Sequence, residues 1–102
     1  MQSLKSGGVL IRLNAIEPST PGPHPAILLL HGAGGNVGFW LDRMAPFATR
    51  LGIAIYAAHY FDRTNTVRAD QATILDGRHV PLWLETIQDT LKYIHALSLI
   101  HI

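Results

Sequence analysis

The chain has 102 residues, of which 48% are hydrophobic and 15% charged, with a formal net charge of +1 and no cysteine. This is the composition of one small globular domain. Its near-neutral balance argues against nucleic acid or an anionic membrane as partner, and the absence of cysteine excludes disulfides, thiolate metal sites and a cysteine nucleophile.

The opening "MQSLKSGG" has one lysine and no apolar stretch behind it, so it does not read as a signal peptide. No apolar run approaches the roughly 20 residues of a membrane span, and the expectation is a cytoplasmic chain. Val9, Ile11, Leu13 and Ala15 alternate with Leu10, Arg12 and Asn14, which predicts a strand with one buried face. "EPSTPGPHP" (Glu17 to Pro25) is a loop, because its prolines and glycine cannot continue a ladder. "AILLL" (Ala26 to Leu30) then reads as a strand buried on both faces, as in a parallel sheet.

After a glycine-rich loop, Met44, Phe47, Ala48 and Leu51 fall on one face of a helix. Pro46 is tolerated only in a first turn, so the helix is expected to start near Asp42 and to end at Gly52. "IAIYAA" (Ile53 to Ala58) is a second continuous apolar strand. Asp62 to Val80 is a polar loop with room for a short helix around Ala69 to Leu75. Pro81 suits the first turn of a last helix, on which Leu84, Ile87, Leu91 and Ile94 line one side. The pattern predicts an α/β layered fold of about three strands, mostly parallel, with two main helices and an antiparallel leading strand.

The densest chemical signal is "AILLLHGAGG" (Ala26 to Gly35), an apolar strand running into a histidine and then glycines. A Walker loop is excluded, since no lysine lies between Lys5 and Lys92. A dinucleotide fingerprint places Gly32 and Gly34 but meets Val37 at its third glycine, and the acidic residue due about 20 positions on is missing. An oxyanion hole fits better, because backbone N–H groups must approach a carbonyl closely there.

"LLLHGAGG" at the end of a buried strand resembles the His-Gly oxyanion loop of α/β-hydrolases. "AAHYFDRT" followed by "WLETIQDTLKYI" makes the chain similar to the dienelactone hydrolase branch, from about Val9 to Ala96. The resemblance implies that the Ala33 N–H is the donor nearest the oxyanion. Gly34 would add a second donor or only flexibility. His31 would brace the loop by hydrogen bonding, with Gly32 and Gly35 shaping it. It also implies a sheet order in which Ala26 to Leu30 lies between the strand Ile53 to Ala58 and a strand following the nucleophile.

Other residues carry less. The six histidines show no metal-ligand pairing, and no metal is expected. His59, Asp62 and Arg63 stand at the end of a parallel strand, where function gathers, and equally read as a salt-bridged loop. Arg63, Arg68 and Arg78 are candidates for binding an acidic substrate. Trp83 reads as core, and Asp89 with Lys92 as a surface pair.

The family's nucleophile sits in G-x-S-x-G or its cysteine version, and the last glycine here is Gly77. Ser98 lies between Leu97 and Leu99, too bulky for that turn, with only His101 of a triad's partners after it. "LSLIHI" (97–102) can be read as CTG TCT CTT ATA CAC ATC, which resembles the transposase end sequence ligated in sequencing-library preparation. Residues 97–102 are therefore expected to be a non-native, adaptor-derived tail.

The chain is thus expected to hold, over 1–96, the N-terminal part of one α/β-hydrolase domain with an incomplete sheet. The implied parent is an ester or lactone hydrolase acting on a small molecule without cofactor, and this chain alone is expected to be inactive. The alternatives are a complete, non-catalytic α/β binding module and a nucleotide-binding domain.

Overall fold

A computed structural model describes residues 2–20 and 22–97. Ser98 and the rest of the adaptor-like tail beyond Leu97 lie outside the described residues. Two strands open the chain, β1 (Gln2–Ser6) and β2 (Val9–Ile16), paired antiparallel with Ser6 opposite Val9. Gly7 and Gly8 make the two-residue turn between them at φ 56° and 79°, the conformation that a right-twisting hairpin requires. β3 (Ala26–Leu30), helix α1 (Val37–Leu51) and β4 (Ala54–Ala58) follow. A 3-10 turn (Tyr60–Thr64), the short α2 (Gln71–Leu75) and the long α3 (His79–His95) complete the described chain.

The strand order is β1-β2-β4-β3. β2 pairs antiparallel with β4, and β3 pairs parallel with β4, Ala26 opposite Ala54 through Leu30 opposite Ala58. Class and element order agree with the α/β expectation. The count and sense of the strands do not: the sheet has four strands, and one of its three pairings is parallel. β1 is the addition. Leu4 and Ser6 alternate inward from exposed neighbours, and this strand is held by its hairpin partner rather than by a long apolar pattern of its own.

β4, the inner strand between β2 and β3, is buried at all five positions. Ala54, Tyr56 and Ala58 join Leu4, Ile11, Leu13 and Ile94 of α3 in one cluster. Ile55, on the alternate side, borders Met44 and Ala48 of α1. The two long helices therefore cover opposite faces, as the period of two along a strand dictates.

Three expectations are corrected. "AILLL" is not buried on both faces: β3 is the edge strand, and Ile27 and Leu30 are 38% and 49% exposed. Helix α1 begins at Val37, not Asp42, because the Asn36 side chain accepts from the Phe39 N–H at 3.2 Å and caps it. Pro46 then sits inside the helix, at an exposed position, where it cannot donate to the carbonyl four residues back. Gly52, at φ 67°, ends the helix and donates to the Ala48 carbonyl.

On α3 the buried face is Trp83, Thr86, Thr90 and Ile94, while Leu84 and Leu91 are more than half exposed. The threonines turn inward because they have partners there. The hydroxyl of Thr86 meets that of Ser6 at 2.9 Å, and Thr90 donates to the Thr86 carbonyl. A buried hydroxyl with a partner costs little, and it draws that face of the helix onto β1. Asp89 likewise pairs with Ser6, at 2.7 Å, rather than with Lys92.

Candidate functional site

The chain leaves β3 at Leu30 and enters α1 at Val37, and the six residues between them are held at almost every peptide. His31 is buried between aromatic rings. Tyr60 stacks on its imidazole at 4.2 Å with the planes 5° apart, and Phe61 meets it edge-on at 4.4 Å. The Tyr60 hydroxyl donates to the His31 carbonyl at 2.6 Å. The His31 Nδ1–H donates to the Gly32 carbonyl at 2.7 Å, and the Gly35 N–H donates to the same oxygen at 3.0 Å. The Ala69 N–H donates to the Ala33 carbonyl at 2.8 Å.

These bonds fix three successive peptide planes through their carbonyls. In a trans peptide the N–H points opposite to the C=O of the same unit. The Ala33 N–H therefore points away from the His31 ring that holds the Gly32 carbonyl. The Gly34 N–H points away from the Ala69 segment that holds the Ala33 carbonyl. Ala33 and Gly34 are exposed, and their N–H groups donate to no partner among the described residues. Two adjacent free donors on an otherwise pinned backbone can stabilise an oxygen that becomes negative, at no reorganisation cost. The amino end of α1 follows directly and adds its positive dipole end.

Gly35 closes the loop at φ 71°, and a Cβ there would lie 2.6 Å from the Val67 carbonyl oxygen. Both the left-handed backbone and the close approach require glycine. Gly32 and Gly34 face open space on the side where a Cβ would stand.

A second group of polar residues lies on the β2 side of this loop. Asp62 accepts from three donors of Arg12: Nε at 2.9 Å, Nη2 at 2.8 Å and the backbone N–H at 3.0 Å. The imidazole of His59 is hydrogen-bonded to the side-chain oxygen of Asn14. Arg12, His59 and Asp62 border, with His31 and Thr66, a hollow of about 190 Å³. Burial alone would raise the Asp62 carboxyl, but the bonds from Arg12 hold it below the usual carboxylate range. Burial lowers the His59 imidazole, and the charge of Arg12 lowers it further.

Of the three arginines considered for an acidic substrate, Arg63 and Arg78 are engaged elsewhere, while Arg68 stands between Val67 and Ala69, whose backbones meet the loop. Arg63 is half-buried, with Nη1 donating to Ser6 at 3.0 Å and Nη2 pairing with Glu85 at 2.8 Å. Arg78 forms a surface pair with Asp76, at 2.6 and 2.8 Å. Arg68 is exposed. Trp83 is core, its indole N–H donating to Thr64 at 2.9 Å.

Tyr60 and Ala69 hold the loop, and sequence reading passed over both. Tyr60 follows His59 in a run read for its charges, and Ala69 lies in a segment read as a polar loop. Nothing in local spacing links either to residues 31–35.

Among the described residues no three potential metal ligands come together, and no helix is long and apolar enough to cross a membrane. Comparison of the chain with family models, with curated proteins and with solved structures finds no match.

Proposed function

We propose that this chain carries the oxyanion loop of an ester or lactone hydrolase, of the α/β-hydrolase type and similar to dienelactone hydrolases. The nucleophile would come from a later part of the parent protein. The observation that carries the reading is the pair of N–H groups of exposed Ala33 and Gly34, unengaged among the described residues, on peptides pinned through their own carbonyls at the carboxyl end of a parallel strand. The strand order adds support. β3 pairs with β4 on one side and has an open edge on the other, where the resemblance expects a strand from the later part of the parent.

In the reaction, a serine or cysteine attacks the acyl carbonyl and a histidine carries the proton to the leaving alcohol. The carbonyl oxygen becomes negative as the tetrahedral intermediate forms, and the Ala33 N–H donates to it, with the Gly34 N–H beside it. His31 has the bracing role in this scheme, its Nδ1–H donating to the Gly32 carbonyl. Residues 1–102 contain no G-x-[SC]-x-G turn, so this chain alone should not turn over activated esters.

The test is the downstream genomic sequence and the extended protein made from it. A short apolar strand followed by G-x-[SC]-x-G is expected within about twenty residues after Ala96, where a parallel crossover returns to the sheet. The extended protein should hydrolyse activated esters, and Ala33→Pro, which deletes the N–H, should lower kcat by about 100-fold or more. A gene without that turn, or an extended protein without turnover, removes the assignment.

A further inference from the structure

We infer that Tyr60 is a positioning residue for the oxyanion loop, acting on the Ala33 and Gly34 donors through His31. This rests on the hydrolase reading for its chemistry, though not for its geometry. Tyr60 engages His31 twice. Its ring lies parallel on the imidazole, at 4.2 Å and 5°, and its hydroxyl donates to the His31 carbonyl at 2.6 Å. The first contact sets the plane of the imidazole whose Nδ1–H holds the Gly32 carbonyl. The second sets the peptide just before it. One side chain thereby fixes two consecutive peptides, and the second of them ends in the Ala33 N–H.

The neighbouring residues make the clamp rigid. Phe61 meets both the His31 and Tyr60 rings edge-on, and Trp83 packs on Phe61 with ring centres 4.5 Å apart. The same stretch of chain continues to Ala69, whose N–H holds the Ala33 carbonyl. The segment 60–69 therefore governs both candidate donors, Ala33 from the Tyr60 end and Gly34 from the Ala69 end. Burial raises the Tyr60 phenol above its ordinary value, so it stays a donor well into the alkaline range.

Two variants separate positioning from packing. Tyr60→Phe keeps the ring on His31 and deletes the hydroxyl; Tyr60→Leu removes both contacts. The measurement is amide hydrogen exchange by NMR on the dilute 15N-labelled chain, with Ile27→Lys on the open edge of β3 as a second, more soluble background. The Gly35 and Ala69 amides report the two bonds that close the loop, and Ile55 and Tyr56 report the fold. In Tyr60→Phe, exchange at Gly35 and Ala69 should rise about tenfold, the loss of one hydrogen bond, with β4 unchanged. Unchanged exchange at both loop amides, or an equal rise throughout β4, overturns the clamp.

In the extended protein, Tyr60→Phe should lower kcat about tenfold with KM held within about twofold, the signature of an interaction made in the transition state. A raised KM with unchanged kcat overturns the inference. Should the extended protein show no turnover at all, the hydrolase reading fails while the exchange measurement still decides the role of Tyr60.

Discussion

Asp62 and His59 tie the fold to pH with the same sign. Asp62 is held below the ordinary carboxylate value by Arg12 despite its burial. Its contribution is therefore complete above the unfolded value near 3.9 and is lost as pH falls through the lower folded value. Burial makes His59 harder to protonate in the folded chain than in the unfolded one. Its contribution is complete above the unfolded value near 6.5 and is lost as pH falls toward the folded one. Thermal stability should thus decline in two steps on acidification. His59→Gln should remove the upper step and Asp62→Asn the lower one, read as melting temperature against pH. A wild-type melting temperature that is flat between pH 7 and 3 contradicts both assignments.

At the scale of elements, one side chain ties the turn of the β1–β2 hairpin to α3. The Arg63 guanidinium lies so close over Gly7 that a Cβ there would stand 2.3 Å from Nη2. From that position it donates to Ser6 and reaches Thr86 and Glu85 on α3. Ser6 has one hydroxyl proton and gives it to Asp89, so it depends on outside donors for its lone pairs. Arg63→Met should keep much of the packing and leave Ser6 and Thr86 short of a donor. The expected loss is about 1–3 kcal/mol, read from urea unfolding. Glu85 is largely exposed and can return to water, which keeps the loss below that of a fully buried ion pair. A variant as stable as the parent would show that the hairpin is held without Arg63.

For the molecule as a whole, the decisive feature is the apolar surface shared by the edge strand β3 and helix α1. Ile27, Phe47 and Leu51 are exposed there, and with Met44, Ile53 and Ile55 they border a wholly apolar hollow of about 320 Å³. Leu30 and Trp40 extend the apolar surface toward the glycine loop. An apolar edge strand with free backbone groups pairs with other chains. Each buried aliphatic side chain is worth roughly 1.5–3 kcal/mol against a domain stability of about 5–15 kcal/mol, so leaving several uncovered consumes much of the margin. The 102-residue chain should therefore self-associate with rising concentration and melt broadly. Ile27→Lys should move it toward monomer in sedimentation velocity. A wild-type monomer with a sharp melt at all concentrations would favour a complete binding module over the hydrolase fragment.

Much of the fold and part of the site are legible in the residues. Alternation marks β2, continuous apolar runs mark β3 and β4, and Gly52 marks the end of α1, because periodicity and turn chemistry are properties of a few adjacent residues. The glycine loop after "AILLL" is marked as chemically special for the same reason. What periodicity does not carry is the identity of a segment's partner. Two equally apolar strands, "AILLL" and "AIYAA", end as edge and inner strand. Leu84 and Leu91 stay exposed while Thr86 goes inside, because Ser6 and Arg63 reach it from distant parts of the chain. The donors at Ala33 and Gly34 are implied by a local motif. Their orientation comes from Tyr60 and Ala69, brought to the loop by the return of β4 alongside β3: composition and spacing set which segments are able to form, and long-range contact selects which face, edge and backbone N–H remain open.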